Sequence, residues 1–442
     1  MNTYFHSVTL DTDKCKGCVN CIKSCPTEAI RVRNGKAYII SERCIDCGEC
    51  IKVCPNHAKK ASYDPLSLMD KFEYKIALPA PALYGQFNNL DDIDLVLNGL
   101  IAIGFDDVFE VSKAAELISD ATRRIMHEGL VKKPVISSAC PAVNRIIRVR
   151  FPDLCDNVLP IQAPMELAAA LAKKEAYKKT GLPMEKIGAF FISPCAAKVT
   201  DVKKPIGRKE SKVDGVFAIS DMFPFLFNAM TKVDKIEPFS ASGIIGVGWA
   251  SSGGESSALL NEKYLAADGI QNVIRVLEDI EDESLSEIDF IELNACSGGC
   301  VGGVLTVENP YVAKARIQRL RKYLPVACNH IEGHIPKEIP WSVPLEYNSV
   351  LKLAENLGDA VSIMAEIDRV EHTLPGIDCG SCGAPSCRAL AEDIVRGEAS
   401  VNDCVFKLRD QMERLAKQIS EINDYIPAPF RKTEEPEKEK KK

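Results

Sequence analysis

The chain has no stretch approaching the roughly 18 uninterrupted apolar residues of a membrane span. Even VDGVFAISDMFPFLFNAM is broken by two aspartates, a proline and an asparagine. Positive charge is not in surplus either: the net charge is -7 and the pI about 5.6, so no basic surface offers itself to nucleic acid. The start, MNTYFHSVTLDTDKCKGC, lacks the basic head and apolar run of an export signal. These absences argue against a membrane or nucleic-acid partner and lead us to expect a cytoplasmic protein. What the chain does have is cysteine, 18 in 442 residues. Without an export signal, reducing conditions keep such thiols free, so their number points to metal ligation over disulfides.

Sixteen of them fall into quartets. CKGCVNCIKSCP (15–26) recurs as CIDCGECIKVCP (44–55). In the two-cluster ferredoxin pattern three close cysteines wrap one cubane and the fourth, before proline, reaches the other. Cys15, Cys18, Cys21 and Cys54 are therefore expected to hold one 4Fe-4S cluster, and Cys44, Cys47, Cys50 and Cys25 the second. Gly17 and Gly48 permit the tight turns that aim amides at the sulfurs. A zinc ribbon would use two pairs, not two quartets ending in Cys-Pro. Near the other end, Cys379, Cys382 and Cys387 sit on a Gly/Pro loop, followed by the helical stretch RALAEDIVRGEA and Cys404. That quartet suits a 4Fe-4S cluster or a structural zinc.

The middle cysteines are sparser: SSACP (137–141), SPCAAK (193–198) and ELNACSGGCVGG (292–303). Only a tertiary fold could bring Cys140, Cys195, Cys296 and Cys300 together, and four converging thiolates would complete a further 4Fe-4S cluster. Cys155 and Cys328 are left over and read as ordinary buried thiols. Nothing else supports a metal site of Cys328 with His330 and His334.

These three segments resemble the signature segments of FeFe-hydrogenases, in their usual order and behind the usual ferredoxin region. APA (80–82), IGFDDVF (103–109), APM (163–165) and SGG (252–254) extend the likeness from about residue 1 to 350. The resemblance implies an H-cluster, a 4Fe-4S cubane joined through one cysteine sulfur to a two-iron subsite carrying CO, cyanide and a bridging azadithiolate. Cys140, Cys195, Cys296 and Cys300 would bind the cubane, and Cys300 would also bridge to the two-iron unit. Lys198 would donate a hydrogen bond to a cyanide, and backbone near Ala80 and Pro81 would line the other side. Glycines 298, 299, 302 and 303 would let backbone approach the cofactor. With three other 4Fe-4S clusters, the chain resembles the family's sensory branch, whose members bind hydrogen but turn it over slowly. Implied partners are hydrogen and protons, a ferredoxin or another redox or signalling protein, and maturation enzymes.

The sequence also departs from the family's catalytic pattern. The place of a proton-relaying cysteine holds Ala139, and a thiol with a pKa of about 8.5 exchanges protons near neutral pH where a methyl group cannot. In SKAAEL (112–117) Glu116 is kept and Lys113 replaces a second glutamate. Ser193 and Asn294 stand where methionines pack on the two-iron unit, and Met165 replaces a glutamine; such exchanges shift redox potential.

Strand-like KIALPAPAL, KPVISSACP, KIGAFFISPC and IDFIELNAC, alternating with helical runs such as APMELAAALAKKEAYKKTG with Gly181 as its C-cap, predict an α/β fold. It should comprise a two-cluster ferredoxin-like domain (1–62), a two-lobed hydrogenase domain with parallel sheets (70–350) and a small C-terminal 4Fe-4S domain (351–404). An amphipathic helix is expected over 351–370. Val405, Leu408, Met412, Leu415, Ile419 and Ile422 have coiled-coil spacing over 405–427; this helix either packs on its own protein or pairs, as in a homodimer. Residues 428–442 should form a disordered tail. The expected function is slow oxidation and evolution of hydrogen with electron relay, suited to sensing. The rival reading is a non-enzymatic iron-sulfur protein, an assembly factor or electron carrier, lacking the two-iron subsite.

Overall fold

The computed structural model describes residues 5–424 and 428–430. The two cysteine-rich repeats fold around short antiparallel pairs, β1 (Val8–Leu10) with β4 (Lys59–Ala61), and β2 (Ile30–Arg33) with β3 (Lys36–Ile39). Each repeat carries one turn of helix, Asn20–Lys23 or Glu49–Lys52. Burial along β4 alternates as a strand requires, with Lys59 inward and Lys60 outward.

From residue 74 the strands are parallel. β5 (Tyr74–Pro79), β6 (Asp107–Val108), β8 (Ile187–Ser193) and β9 (Gly215–Ala218) form one sheet in the order β6-β5-β8-β9. β7 (Val135–Ile136), β10 (Tyr264–Asp268) and β11 (Phe290–Asn294) form another, ordered β10-β11-β7. All of β8 is buried, which explains its unbroken apolar run: in a covered parallel sheet neither face meets water. The helix Pro164–Thr180 packs on β5 and β8 and ends at Gly181 in the left-handed conformation, φ 70°. Ala80, Cys140, Cys195 and Cys296 all follow the C-terminal ends of β5, β7, β8 and β11, where such folds build their sites.

The chain divides into two compact units, 1–351 and 352–442. The ferredoxin-like region belongs to the first: the Ser7 hydroxyl donates to Ala196 O at 2.8 Å and the Ser7 amide to Thr200 Oγ1 at 3.0 Å. In the second unit the helix begins at Leu357, not 351, because the Asn356 side chain caps it by accepting from the Asp359 amide at 2.8 Å. The helix Val405–Asp424 carries the expected apolar stripe, and its six residues are 39–64% exposed. Residues 425–427 and, apart from the turn Ala428–Phe430, the expected tail lie outside the described residues. Among the described residues no helix is long and apolar enough to cross a membrane.

Candidate metal centre

All eighteen cysteines are free of disulfides. In the N-terminal region Cys21 lies within electrostatic reach of Cys15, Cys18 and Cys54. Cys25, Cys44, Cys47 and Cys50 line a separate small cavity. The chain therefore crosses over between repeats as the spacing predicts: each quartet takes its fourth thiol from the other repeat. In the second unit Cys379, Cys382, Cys387 and Cys404 line one cavity with Leu390 and Val405.

The dispersed cysteines also converge. Cys140, Cys296 and Cys300 all act electrostatically on Cys195, and Cys140 and Cys300 on Cys296. Cys140 and Cys195 are the residues from which the helices Pro141–Arg150 and Ala196–Lys203 start, where the partial positive charge of a helix N-terminus favours thiolate. Burial nonetheless pushes the thiols up, Cys195 to about 12 and Cys296 to about 11, and each neighbouring thiolate adds to the rise. The donor set thus fits a thiolate-bound metal centre, which supplies the positive charge that four close, buried thiols need in order to lose their protons together.

Cys140 and Cys300 open onto a recess lined also by Ala80, Pro81, Ala139, Met165, Lys198 and Asn294, all of them expected at the site. Lys198 Nζ donates to Cys300 Sγ at 3.2 Å. Burial pulls its pKa down, but the charges at Cys300, Cys195 and Cys140 outweigh that and hold it above the ordinary lysine value.

Several expectations need correction. Ser193 does not line the recess: its hydroxyl closes the turn after β8, donating to Cys195 O at 3.1 Å and accepting from the Cys195 amide at 3.2 Å, and Pro194 takes the lining place. The glycines serve the protein's own backbone. A Cβ at Gly299 would lie 2.3 Å from Ser252 N, at Gly302 2.1 Å from Ser297 O, and at Gly303 2.0 Å from Pro194 O. Their lack of bulk packs the loops that carry the thiols, and Gly298 and Gly299 also hold φ at 80° and 91°. Glu116 is held by the Gly243, Cys328 and Asn329 amides away from the recess, and Lys113 pairs with Glu175. Cys328 is exposed, not buried, and Cys155 is only partly buried.

Sequence reasoning missed two buried carboxylates on the recess wall, Glu255 and Glu292. Burial, and then the charge of Glu292, pushes Glu255 up to about 8. Glu255 Oε2 accepts from the Ser137 hydroxyl at 2.6 Å, and Ser137 Oγ in turn accepts from the Ala139 amide at 3.1 Å. Glu292 accepts from the Gly253 and Ser256 amides and from Asn294 Nδ2, and burial raises its pKa. The available signal was an acidic residue inside FIELN, an otherwise apolar strand.

Comparison with known proteins agrees with this geometry. The model of the iron-only hydrogenase large subunit, C-terminal domain, matches residues 73–264 and 255–304. A 4Fe-4S dicluster domain matches 7–55, and a family described by an Fe-S cluster matches 374–406. Iron hydrogenase 1 of Clostridium pasteurianum is 24% identical over 396 residues, 71% of this chain and 68% of that protein. The periplasmic [Fe] hydrogenase large subunit of Nitratidesulfovibrio vulgaris is 24% identical over 361 residues, 67% of this chain and 86% of that one. Subunit HndD of the NADP-reducing hydrogenase of Solidesulfovibrio fructosivorans is 24% identical over 213 residues, 44% of this chain and only 34% of that subunit. With more than half of its residues matched, including all four converging central cysteines, the chain belongs to the iron-only hydrogenase large-subunit family, as an H-cluster-type iron-sulfur redox protein.

Proposed function

We propose that this protein binds hydrogen at an H-cluster held by Cys140, Cys195, Cys296 and Cys300, turns it over slowly, and reports its presence through a chain of 4Fe-4S clusters. The observation that carries the reading is the recess lined both by Cys300, hydrogen-bonded to Lys198, and by Ala139 where a relay thiol would stand. When bound, the H-cluster supplies the centre at which hydrogen is split or formed.

The chain's own residues set how fast protons follow. Lys198 offsets the charge on Cys300 and has further N–H donors for a cyanide. Asn294 and Met165 line the recess beside Ala80 and Pro81, and the Ala139 methyl can neither take nor give a proton. Glu255, raised to about 8, holds a proton at neutral pH on the same wall, but it accepts from the Ser137 hydroxyl, which accepts from the Ala139 amide, so it meets no titratable side chain at 139. A proton therefore has a reservoir without the usual carrier. Slow turnover suits a sensor, because occupancy then reports hydrogen without consuming it.

Electrons would leave through the N-terminal quartets, while the C-terminal quartet offers a further cluster; a ferredoxin or signalling protein would receive them. Maturation enzymes would install the two-iron unit. Infrared spectroscopy of matured protein under hydrogen tests the assignment: CO and cyanide bands that shift with hydrogen are expected, and their absence after competent maturation would favour the rival iron-sulfur protein. Hydrogen uptake and evolution at the rates of vigorous hydrogenases would defeat slow sensing.

A further inference from the structure

The two N-terminal repeats are near copies, and the places where the copy fails are informative. CPTEAI (25–30) aligns with CPNHAK (54–59), and each segment leads into a strand, β2 beginning at Ile30 and β4 at Lys59. Both residues are 2% exposed, but one is isoleucine and the other lysine. Strand alternation leaves no choice of face: Lys60 points outward and pairs with Asp11 at 3.3 Å, so Lys59 points in. There its Nζ has no hydrogen-bond partner. A buried ammonium without a partner persists only beside compensating negative charge. That charge is at hand, because Lys59 acts on Cys21 and Cys54 of one quartet and on Cys50 of the other.

A second break falls at Asp46, which aligns with Gly17 between the first two cysteines of each repeat. Asp46 is 2% exposed; its Oδ1 accepts from the Ser7 and Val8 amides at 3.0 Å, and its negative charge bears on Cys44 and Cys50. The cation thus bears on two thiols of the quartet of Cys15, Cys18, Cys21 and Cys54 and on one of the quartet of Cys44, Cys47, Cys50 and Cys25, whereas the anion bears on two thiols of the second quartet. The second quartet is the inner one. Cys47 packs against the same core as Cys140 and Cys195, and Lys52 acts on Cys296. The first is the outer one, with Cys18 exposed.

We propose that Lys59 polarises this pair of clusters, holding the outer one at the higher reduction potential, so that electrons released at the central site run outward and collect there. The proposal rests on reading the N-terminal quartets as cluster ligands. A nearby cation stabilises the reduced, more negative form of a cluster and raises its potential, whereas a carboxylate does the reverse. Lys59 and Asp46 therefore act in the same direction on the gap between inner and outer clusters.

The test is an EPR-monitored redox titration of full-length, anaerobically reconstituted protein with dithionite as reductant. Iron content and spin count of the parent come first, and the outer cluster's signal is the one that Cys18→Ser alters. Lys59→Ile installs the residue that the sister repeat buries at the equivalent strand position. It should shift the outer midpoint to more negative potential and narrow the gap, while Lys59→Arg, which keeps the charge, should stay close to the parent. Unmoved midpoints, equal shifts of both clusters, an Arg variant behaving like the Ile variant, or loss of a cluster from Lys59→Ile would each overturn the proposal. A parent lacking two N-terminal clusters would overturn the reading of the quartets itself, and the proposal with it.

Discussion

The C-terminal and central quartets each use four thiols but are built in opposite ways. In the C-terminal four, Cys379 and Cys382 lie on one short loop, Cys387 opens the helix Cys387–Val395, and Cys404 follows the turn Val401–Asp403. Its cavity is small, and Cys379 is exposed. The central four come from loops after three strands of two different sheets, and their recess holds a lysine and two buried carboxylates. A local quartet needs only a turn that points sulfurs inward, so it can bind a cluster and pass electrons. A dispersed quartet surrounds its centre with side chains from many elements, and these can do chemistry on what is bound.

The sharpest way to break this comparison is to remove one thiol from each site. Cys195→Ser should abolish the CO and cyanide infrared bands of matured protein entirely, whereas Cys382→Ser should lower the metal content and leave the bands in place. Bands that survive the first change, or vanish with the second, would dissolve the distinction. Next in size is Ala139→Cys, which returns a titratable thiol to the recess wall. Hydrogen evolution should rise by about 10²- to 10⁴-fold, the usual contribution of a positioned acid or base, and an unchanged rate would place the limitation elsewhere.

Lys198→Met leaves the charge at Cys300 without its buried partner. Losing one member of such a pair costs about 3–5 kcal/mol, read as reduced retention of the two-iron unit by infrared intensity. A further test concerns Glu255, whose carboxyl is pushed up to about 8 by burial and by the charge of Glu292. A carboxyl with a raised folded-state pKa stabilises fully below its unfolded value and loses that contribution as pH climbs toward the folded one, at about 1.4 kcal/mol per unit of pH at most. The melting midpoint should therefore fall between about pH 5 and 8, and Glu255→Gln should flatten this fall. A slope unchanged by the substitution would show that Glu255 is not the group that titrates.

Much of the site is legible in the sequence. The paired CxxCxxCxxxCP runs give both crossed quartets, because ligand spacing is a local property. The unbroken apolar run of β8 and the Gly181 cap likewise follow from neighbours in the chain. Ser193 was misplaced because whether a residue at a strand end faces the recess or the turn depends on a hydrogen bond to Cys195 that composition does not reveal. The glycines around Cys300 were given to the cofactor when they serve packing against Ser252, Ser297 and Pro194, residues remote in sequence or hidden by a tight turn. Glu255 was passed over because a lone glutamate reads as surface until burial and Glu292 act on it.

Residue type and spacing therefore settled the chemistry on offer: thiols in fours, a lysine beside one of them, an alanine where a thiol would relay protons. Folding settled what that chemistry acts on, by carrying Cys140, Cys195 and Cys296 to the ends of separate strands and setting Cys300, Lys198 and two carboxylates around one recess. The reason lies in range. Spacing and alternation act over a few residues, whereas burial and electrostatic coupling exist only once distant segments share a wall.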